Sequence, residues 1–279
     1  MNSICLNGKI LPADKPALMA DNRGYRYGDG LFETMKMING KIVLEKYHFE
    51  RLFNGIKLLK LRAPLLFKAS ALRREILKTC KKNKCDQLGR IRLSVFRGNG
   101  GLYDESKNLQ WLIECWPADI SVNRINKNGL VIDIFPGMQK LCDVFSNIKS
   151  ASFLPYAMAA QYAKEKKLAD CLIHNVKGHI ADATIANVFL VKNKLLITPA
   201  LTEGCVNGVM RRYLIEKLRA SNFDVREGVV TKNDLETFDE VFLTNAMYGL
   251  RWVRQFRDKK YDNTQTLRIY NEFITPLYS

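Results

Sequence analysis

No apolar run in this 279-residue chain approaches the roughly 20 residues that a helical membrane span needs. The start, Met1-Asn-Ser-Ile-Cys-Leu-Asn-Gly-Lys9, has no long apolar stretch closed by small residues, so a secretory signal is not expected. No C-x-x-C pair occurs among the seven scattered cysteines. Cys80 and Cys85 stand five positions apart, with no second pair to complete a zinc site. The expectation is reduced, mostly buried thiols in a cytoplasmic protein. Low-complexity tracts and internal repeats are also missing, so at 47% hydrophobic residues the chain reads as globular and long enough for two domains.

Acidic residues are outnumbered, 28 against 44 basic ones, for a net charge of +16. The basic residues are spread along the chain. The densest group, Lys81-Lys82-Asn83-Lys84, reads as the solvated end of a helix. No basic tract interleaved with aromatics is present, so a nucleic-acid partner is not expected. Anionic small substrates or a basic proteome account for the charge instead.

What is present alternates between strand and helix patterns. Residues 4–10 alternate around Asn7-Gly8, a hairpin dipeptide. Residues 21–30 are rich in glycine and turn formers and read as a loop, where Gly28 and Gly30 permit close backbone approach to a ligand. A strand at 31–37 turns at 38–41 and returns at 42–44. Apolar residues Phe49, Leu52, Phe53, Ile56 and Leu59 make a helical stripe over 48–61, and a second helix at 70–79 has Ser70 as its N-cap. Strands follow at 90–97 and 110–116. The polar stretch 117–129 reads as a linker, which divides the chain into 1–119 and 120–279. Beyond it the patterns predict strands at 130–135, 171–174, 187–191, 195–198 and 240–244. Helices are expected at about 151–166, at 207–219 and, closing the chain, at 264–274. The class is α/β or α+β.

Lys149 follows the polar pair Ser146-Asn147 and precedes the apolar helical pattern of Phe153, Leu154, Ala157 and Met158. Thirty-three residues later Asp182 leads toward the apolar run Asn187-Val188-Phe189. A lysine at such a junction, with an acid before a buried strand, can hold pyridoxal phosphate, the acid facing the ring nitrogen. Residues 206–210 open a helix whose free backbone N–H groups suit an anion.

Five segments, in order, carry a wider likeness: Tyr27-Gly-Asp-Gly-Leu-Phe-Glu-Thr34, His48-Phe-Glu-Arg51-Leu52, Ser146-Asn-Ile-Lys149, Asp182 through Phe189, and Thr198-Pro199 with Gly204-Cys-Val-Asn-Gly-Val-Met-Arg211. Over roughly residues 5–255 the chain resembles the class IV pyridoxal-phosphate enzymes. These comprise branched-chain and D-amino-acid aminotransferases and 4-amino-4-deoxychorismate lyases. The resemblance implies a cytoplasmic homodimer with a small N-terminal domain, a larger C-terminal domain and the cofactor between them. It implies that Lys149 is the Schiff-base lysine and that Arg51 binds the cofactor phosphate, for which a bidentate guanidinium is suited. Val209 and Met210 would offer amides to the same phosphate, with Asn245 and Ala246 supplying further contacts. Asp182 would be the ring-nitrogen partner, but the family usually has glutamate there, one methylene longer. Ser152 likewise stands where asparagine is common.

The loop Arg97-Gly-Asn-Gly-Gly101 resembles the Arg-Gly-x-Gly-Gly of the lyases, although Leu102-Tyr103 replaces their usual continuation. Arg97 also matches an arginine that recognises a substrate carboxylate in D-amino-acid aminotransferases. Tyr25 and Tyr27 would line the substrate pocket. The substrate implied is a small anionic molecule bearing an amino group. The preferred reading is the lyase that releases 4-aminobenzoate and pyruvate in folate precursor synthesis. A D-amino-acid or branched-chain transaminase is the alternative, and a non-catalytic relative a remote one.

Overall fold

The computed structural model describes residues 2–104 and 108–278. The chain forms two compact units, Met1–Ile120 with Ile148–Phe153, and Ser121–Asn147 with Leu154–Ser279. The class is mixed α and β, as the alternating patterns predict.

The first unit is built on a six-stranded antiparallel sheet. Its strands are β1 (Ser3–Leu6), β2 (Lys9–Pro12), β3 (Gly30–Ile38), β4 (Lys41–Ile42), β5 (Leu88–Arg97) and β6 (Leu109–Pro117), in the order β2-β1-β6-β5-β3-β4. Asn7 and Gly8 turn the first hairpin with φ of 49° and 84°, the left-handed pair that matches strand twist. The segment at 21–30 is not wholly a loop. It contains a short helix, α1 (Arg23–Tyr27), capped by Asn22, whose side chain accepts from Tyr25 N at 3.2 Å, and closed by Gly28 at φ 63°. The polar and glycine residues that mark a turn are here the two ends of a helix. Helices α2 (Glu45–Leu58) and α3 (Ala69–Lys82) pack on β3 and β6. Their apolar stripes, including Leu52, Ile56, Leu72 and Ile76, close a core with Met35, Ile91, Leu93 and Ile113. Each such side chain contributes about 1.5–3 kcal/mol by leaving water. Ser70 does not cap α3; the N-cap is Lys68, with no side-chain cap bond, because the helix begins one residue before the serine.

The second unit holds a nine-stranded mixed sheet. Its strands are β7 (Leu130–Ile134), β8 (Asp170–His174), β9 (Ile180–Ala183), β10 (Asn187–Lys192), β11 (Leu195–Pro199), β12 (Asp224–Gly228), β13 (Glu240–Asn245), β14 (Gly249–Phe256) and β15 (Lys259–Lys260). The order is β12-β11-β10-β13-β14-β7-β8-β9, with β15 beside β14. Its helices are α4 (Leu154–Glu165), α5 (Val209–Ala220), α6 (Lys232–Thr237) and α7 (Thr264–Ile269). The closing helix expected over 264–274 is regular only to Ile269 and widens to a π turn at Tyr270–Ile274. Strands β12 and β14 carry no clear alternation. In β12 only Val225 is buried. In β14 a bulge between Val253 and Gln255 shifts the inward face part-way along.

Candidate active site

In the first unit, the stretch Ile148–Phe153 lies along the start of β3. Phe32 N donates to Lys149 O at 3.0 Å, and Ala151 N donates to Gly30 O at 2.9 Å. Gly30 is required by packing against β5: a Cβ there would lie 2.5 Å from the Val95 carbonyl oxygen. The backbone approach that this glycine permits is to a neighbouring strand. Lys149 is held over aromatic faces, its Nζ 4.5 Å from the Phe32 ring centre and 5.2 Å from that of Phe153. The two rings meet edge to face at 5.3 Å. The Arg92 guanidinium carbon lies 3.9 Å from the same Phe32 ring centre. Two cations therefore share one aromatic ring.

Arg51 is buried on α2 and turned onto β3. Its Nε donates to Glu33 Oε1 at 2.7 Å and its NH2 donates to Oε2. His48, one turn earlier, places Nδ1 2.6 Å from Glu33 Oε2. Glu33 opposes burial with these partners: desolvation pushes its carboxyl up, but the Arg51 charge and the His48 hydrogen bond outweigh it and hold it at about 2. Burial pushes the His48 imidazole down, against the upward pull of Glu33. The ring is therefore neutral. A carboxylate only accepts, so Nδ1 carries the proton.

Arg97 ends β5 in a half-buried ion pair, its Nε donating to Asp29 Oδ2 at 2.8 Å and its NH2 to Leu59 O at 2.9 Å. Arg23 reaches the same Asp29 oxygen at 3.1 Å and braces the glycine loop through the Gly101 and Leu102 carbonyls. Of the two tyrosines, Tyr25 is exposed, and Tyr27 lies under the Arg23 guanidinium at 5.8 Å.

In the second unit, Asp182 sits in β9 and is 2% exposed. Its Oδ2 accepts from Lys140 Nζ at 2.6 Å, from Tyr156 OH at 2.9 Å and from Val206 N at 3.1 Å. Its Oδ1 accepts from Asn187 Nδ2 at 3.1 Å. Burial, and then the Asp182 charge, raise the Tyr156 phenol well above its usual range, so it remains a donor. The same two causes push the Cys205 thiol up to about 12.

Val209 and Met210 open α5 behind Gly208, which offers no side-chain cap. Their amides are among the orphan donors of a helix start. Gly208 is a cradle in the strict sense: a Cβ there would meet Asn187 Oδ1 at 1.8 Å. Asn187 Nδ2 also donates to Val206 O at 2.8 Å, tying the approach to α5 to β10. Asn245 and Ala246 form the turn after β13, where Asn245 Oδ1 accepts from the amides of Met247 and Tyr248 at 3.0 and 2.9 Å. The preceding Thr244 Oγ1 is buried without a hydrogen-bond partner among the described residues. A helix start with no side-chain cap, a glycine no side chain can replace and an unsatisfied buried hydroxyl fit a phosphate dianion.

Residues beyond those singled out in the sequence also shape these sites. Glu33 and His48 lie inside the quoted segments, and the one-turn spacing of His48 and Arg51 already puts both on one helix face. Lys140 and Tyr156 carry no such signal; only the folded chain brings them to Asp182.

The pattern of the amino-transferase class IV family matches residues 30–256, and the chain belongs to that family. Enzymes of this family use pyridoxal 5'-phosphate, and this chain is a pyridoxal-phosphate-dependent class IV enzyme. It is similar to a putative branched-chain-amino-acid aminotransferase of Methanocaldococcus jannaschii, 28% identical over 94% of this chain and 90% of that one. It is similar to the aminodeoxychorismate lyase of Bacillus subtilis, 26% identical over 88% of this chain and 83% of that one. In fold it is similar to the branched-chain aminotransferase of Thermoproteus uzoniensis, at a TM-score of 0.90 and 18% identity, covering 99% of this chain and 94% of that one. No helix among the described residues is long and apolar enough to cross a membrane.

Proposed function

We propose that this enzyme is a 4-amino-4-deoxychorismate lyase, releasing 4-aminobenzoate and pyruvate for folate precursor synthesis, and that it works as a cytoplasmic homodimer. The observation that carries the reading is the ring shared by Lys149 and Arg92. A second cation against the same ring as the lysine amine suits a substrate with two carboxylates better than a simple amino acid with one. The lyase-like loop from Arg97 to Gly101, braced by Arg23, and the likeness to the Bacillus enzyme support it.

Arg51 holds the cofactor phosphate, its guanidinium fixed in orientation by Glu33. The amides of Val209 and Met210 take the phosphate's other oxygens, with the Asn245–Ala246 turn beside them. Asp182 faces the ring nitrogen. When bound, pyridoxal phosphate supplies a carbonyl carbon that takes up amino groups and a ring that accepts an electron pair. Lys149 would hold that carbon, and its amine, once freed, would serve as the base. Its amine takes the proton from the amino-bearing carbon and returns a proton to the departing three-carbon fragment, which leaves as pyruvate. Arg97 and Arg92 orient the carboxylates, and Tyr25 and Tyr27 border the substrate. Formation of the aromatic ring of 4-aminobenzoate drives the step forward.

A transaminase of the D-amino-acid or branched-chain type shares Lys149 and Asp182 and differs in its substrate loops; the Methanocaldococcus relative favours that reading. A paired assay separates the two. One arm measures 4-aminobenzoate and pyruvate from aminodeoxychorismate; the other measures 2-oxoglutarate-dependent turnover of D-alanine and of leucine. Turnover in the second arm alone would overturn the lyase.

A further inference from the structure

Away from Lys149, the first unit buries three thiols against one another. Cys80 lies in the last turn of α3, Cys85 follows that helix, and Cys115 stands on β6. Their three Sγ atoms all lie within 4.8 Å of one another, and none of the three residues is more than 1% exposed. The backbone is built to bring them together. Lys84 takes a left-handed φ of 56°, and Cys85 N donates to Cys80 O at 3.0 Å, which folds the turn back under the helix. Asn83 then ties that turn to the sheet, its Nδ2 donating to Cys115 O at 3.1 Å and to Ser3 O at 2.8 Å. A separation of four residues between the first two cysteines gave no metal signal by itself, because the third ligand arrives from a strand thirty positions further on.

We propose that Cys80, Cys85 and Cys115 form an all-sulfur site for one soft monovalent ion, cuprous copper. Three points at most 4.8 Å apart share a centre no more than about 2.8 Å from each, and contraction by about 0.5 Å gives metal–thiolate bonds of about 2.3 Å. Sulfur alone forms the cluster, which selects against the hard cations that need oxygen. Zinc in structural sites takes four ligands, whereas three thiols supply the low coordination that a soft monovalent ion accepts. The sulfurs also lie at the carbonyl end of α3, with Cys85 Sγ 3.5 Å from the Cys80 oxygen, where the helix dipole favours a cation. The exposed side chains of Lys81, Lys82 and Lys84 on the same turn offset thiolate charge. Binding is not a redox step. Each sulfur that becomes a thiolate releases one proton, and the ion stays cuprous.

The test titrates the reduced, cofactor-loaded enzyme with cuprous ion under argon, against bicinchoninate as competing chelator. One equivalent per chain should be withdrawn from the chelator, with an ultraviolet sulfur-to-copper band and no change in the visible cofactor absorbance. Cys85→Ser and Cys115→Ser should each weaken retention at least 100-fold, whereas Cys142→Ser and Cys5→Ser should leave it intact. X-ray absorption on the wild-type protein, which needs no variant to fold, should show three sulfurs and no nitrogen or oxygen. Failure to withdraw copper, retention undiminished in Cys85→Ser, or a nitrogen or oxygen ligand would each overturn the proposal.

Discussion

Two buried carboxylates, one in each unit, are held in contrasting ways. Glu33 is met by a single helix face: His48 and Arg51, one turn apart on α2, satisfy both of its oxygens. Asp182 is met by four donors from four separate segments: Lys140, Tyr156 on α4, Asn187 on β10 and the backbone of Val206. The first cage orients an arginine; the second surrounds an acid. A rigid helix face suits the positioning of one cation, because its two side chains move as a unit. A convergence of separate segments suits the adjustment of an acid, because each donor can be altered alone. The aspartate that is one methylene shorter than the family's usual glutamate sits in this adjustable cage.

The comparison can be broken at several points. Lys149→Ala should abolish turnover and the visible absorbance of the lysine-linked cofactor, even where cofactor is retained by the phosphate contacts; retained colour would remove Lys149 from the chemistry. Asp182→Ala should lower kcat/KM by about a thousandfold, as loss of a charge aimed at the reacting system does, while Asp182→Glu stays within about tenfold. Equal losses in the two variants would mean that the cage, not the acid, matters.

Glu33→Gln removes a charged partner of the buried Arg51 and should cost about 3 kcal/mol in a denaturant titration, the low end for breaking such a pair. Acid should probe the same cage. Glu33 has its folded pKa depressed from 4.5 to about 2, so its contribution is present above pH 4.5 and is lost as pH falls toward 2. His48, buried neutral, acts in the same direction below its ordinary value of 6.5. Thermal unfolding from pH 7 to pH 2 should show this acid limb in the wild type and a shallower one in Glu33→Gln. The smallest effect is expected at Tyr156→Phe, which removes one of the donors to Asp182 and should cost about 1 kcal/mol, with folding otherwise unchanged. A loss as large as that of Asp182→Ala would show that the donors cannot be altered independently.

How much of this was legible in the sequence follows the same division. Lys149 and Arg51 stand in short segments whose spacing survives folding unchanged, and Glu33 and His48 lie within those segments. The Asp182 cage depends on Lys140, which is distant by 42 residues and sits in no periodic element, so nothing local announces it. Among the elements, long strands with an alternating face such as β5 read directly. The strand β14 did not, because its bulge splits one alternation into two fragments. The start of α3 was misplaced because Ser70 is a better cap on intrinsic grounds than Lys68, yet the core packing of Leu72 and Ile76 sets the helix one residue earlier.

The stretch Ile148–Phe153 belongs to the first unit although the residues on either side of it belong to the second. On the ribosome, the first unit therefore cannot finish when residue 120 emerges. It must wait for another 33 residues to reach Phe153, a delay of roughly two to seven seconds at ordinary rates of synthesis. During that interval the edge of β3 that later pairs with Ser150 is unprotected. Lys149 is thus among the last parts of its unit to be put in place, so a ribosome that stalls in the 120–147 segment releases a sheet without that lysine beside it.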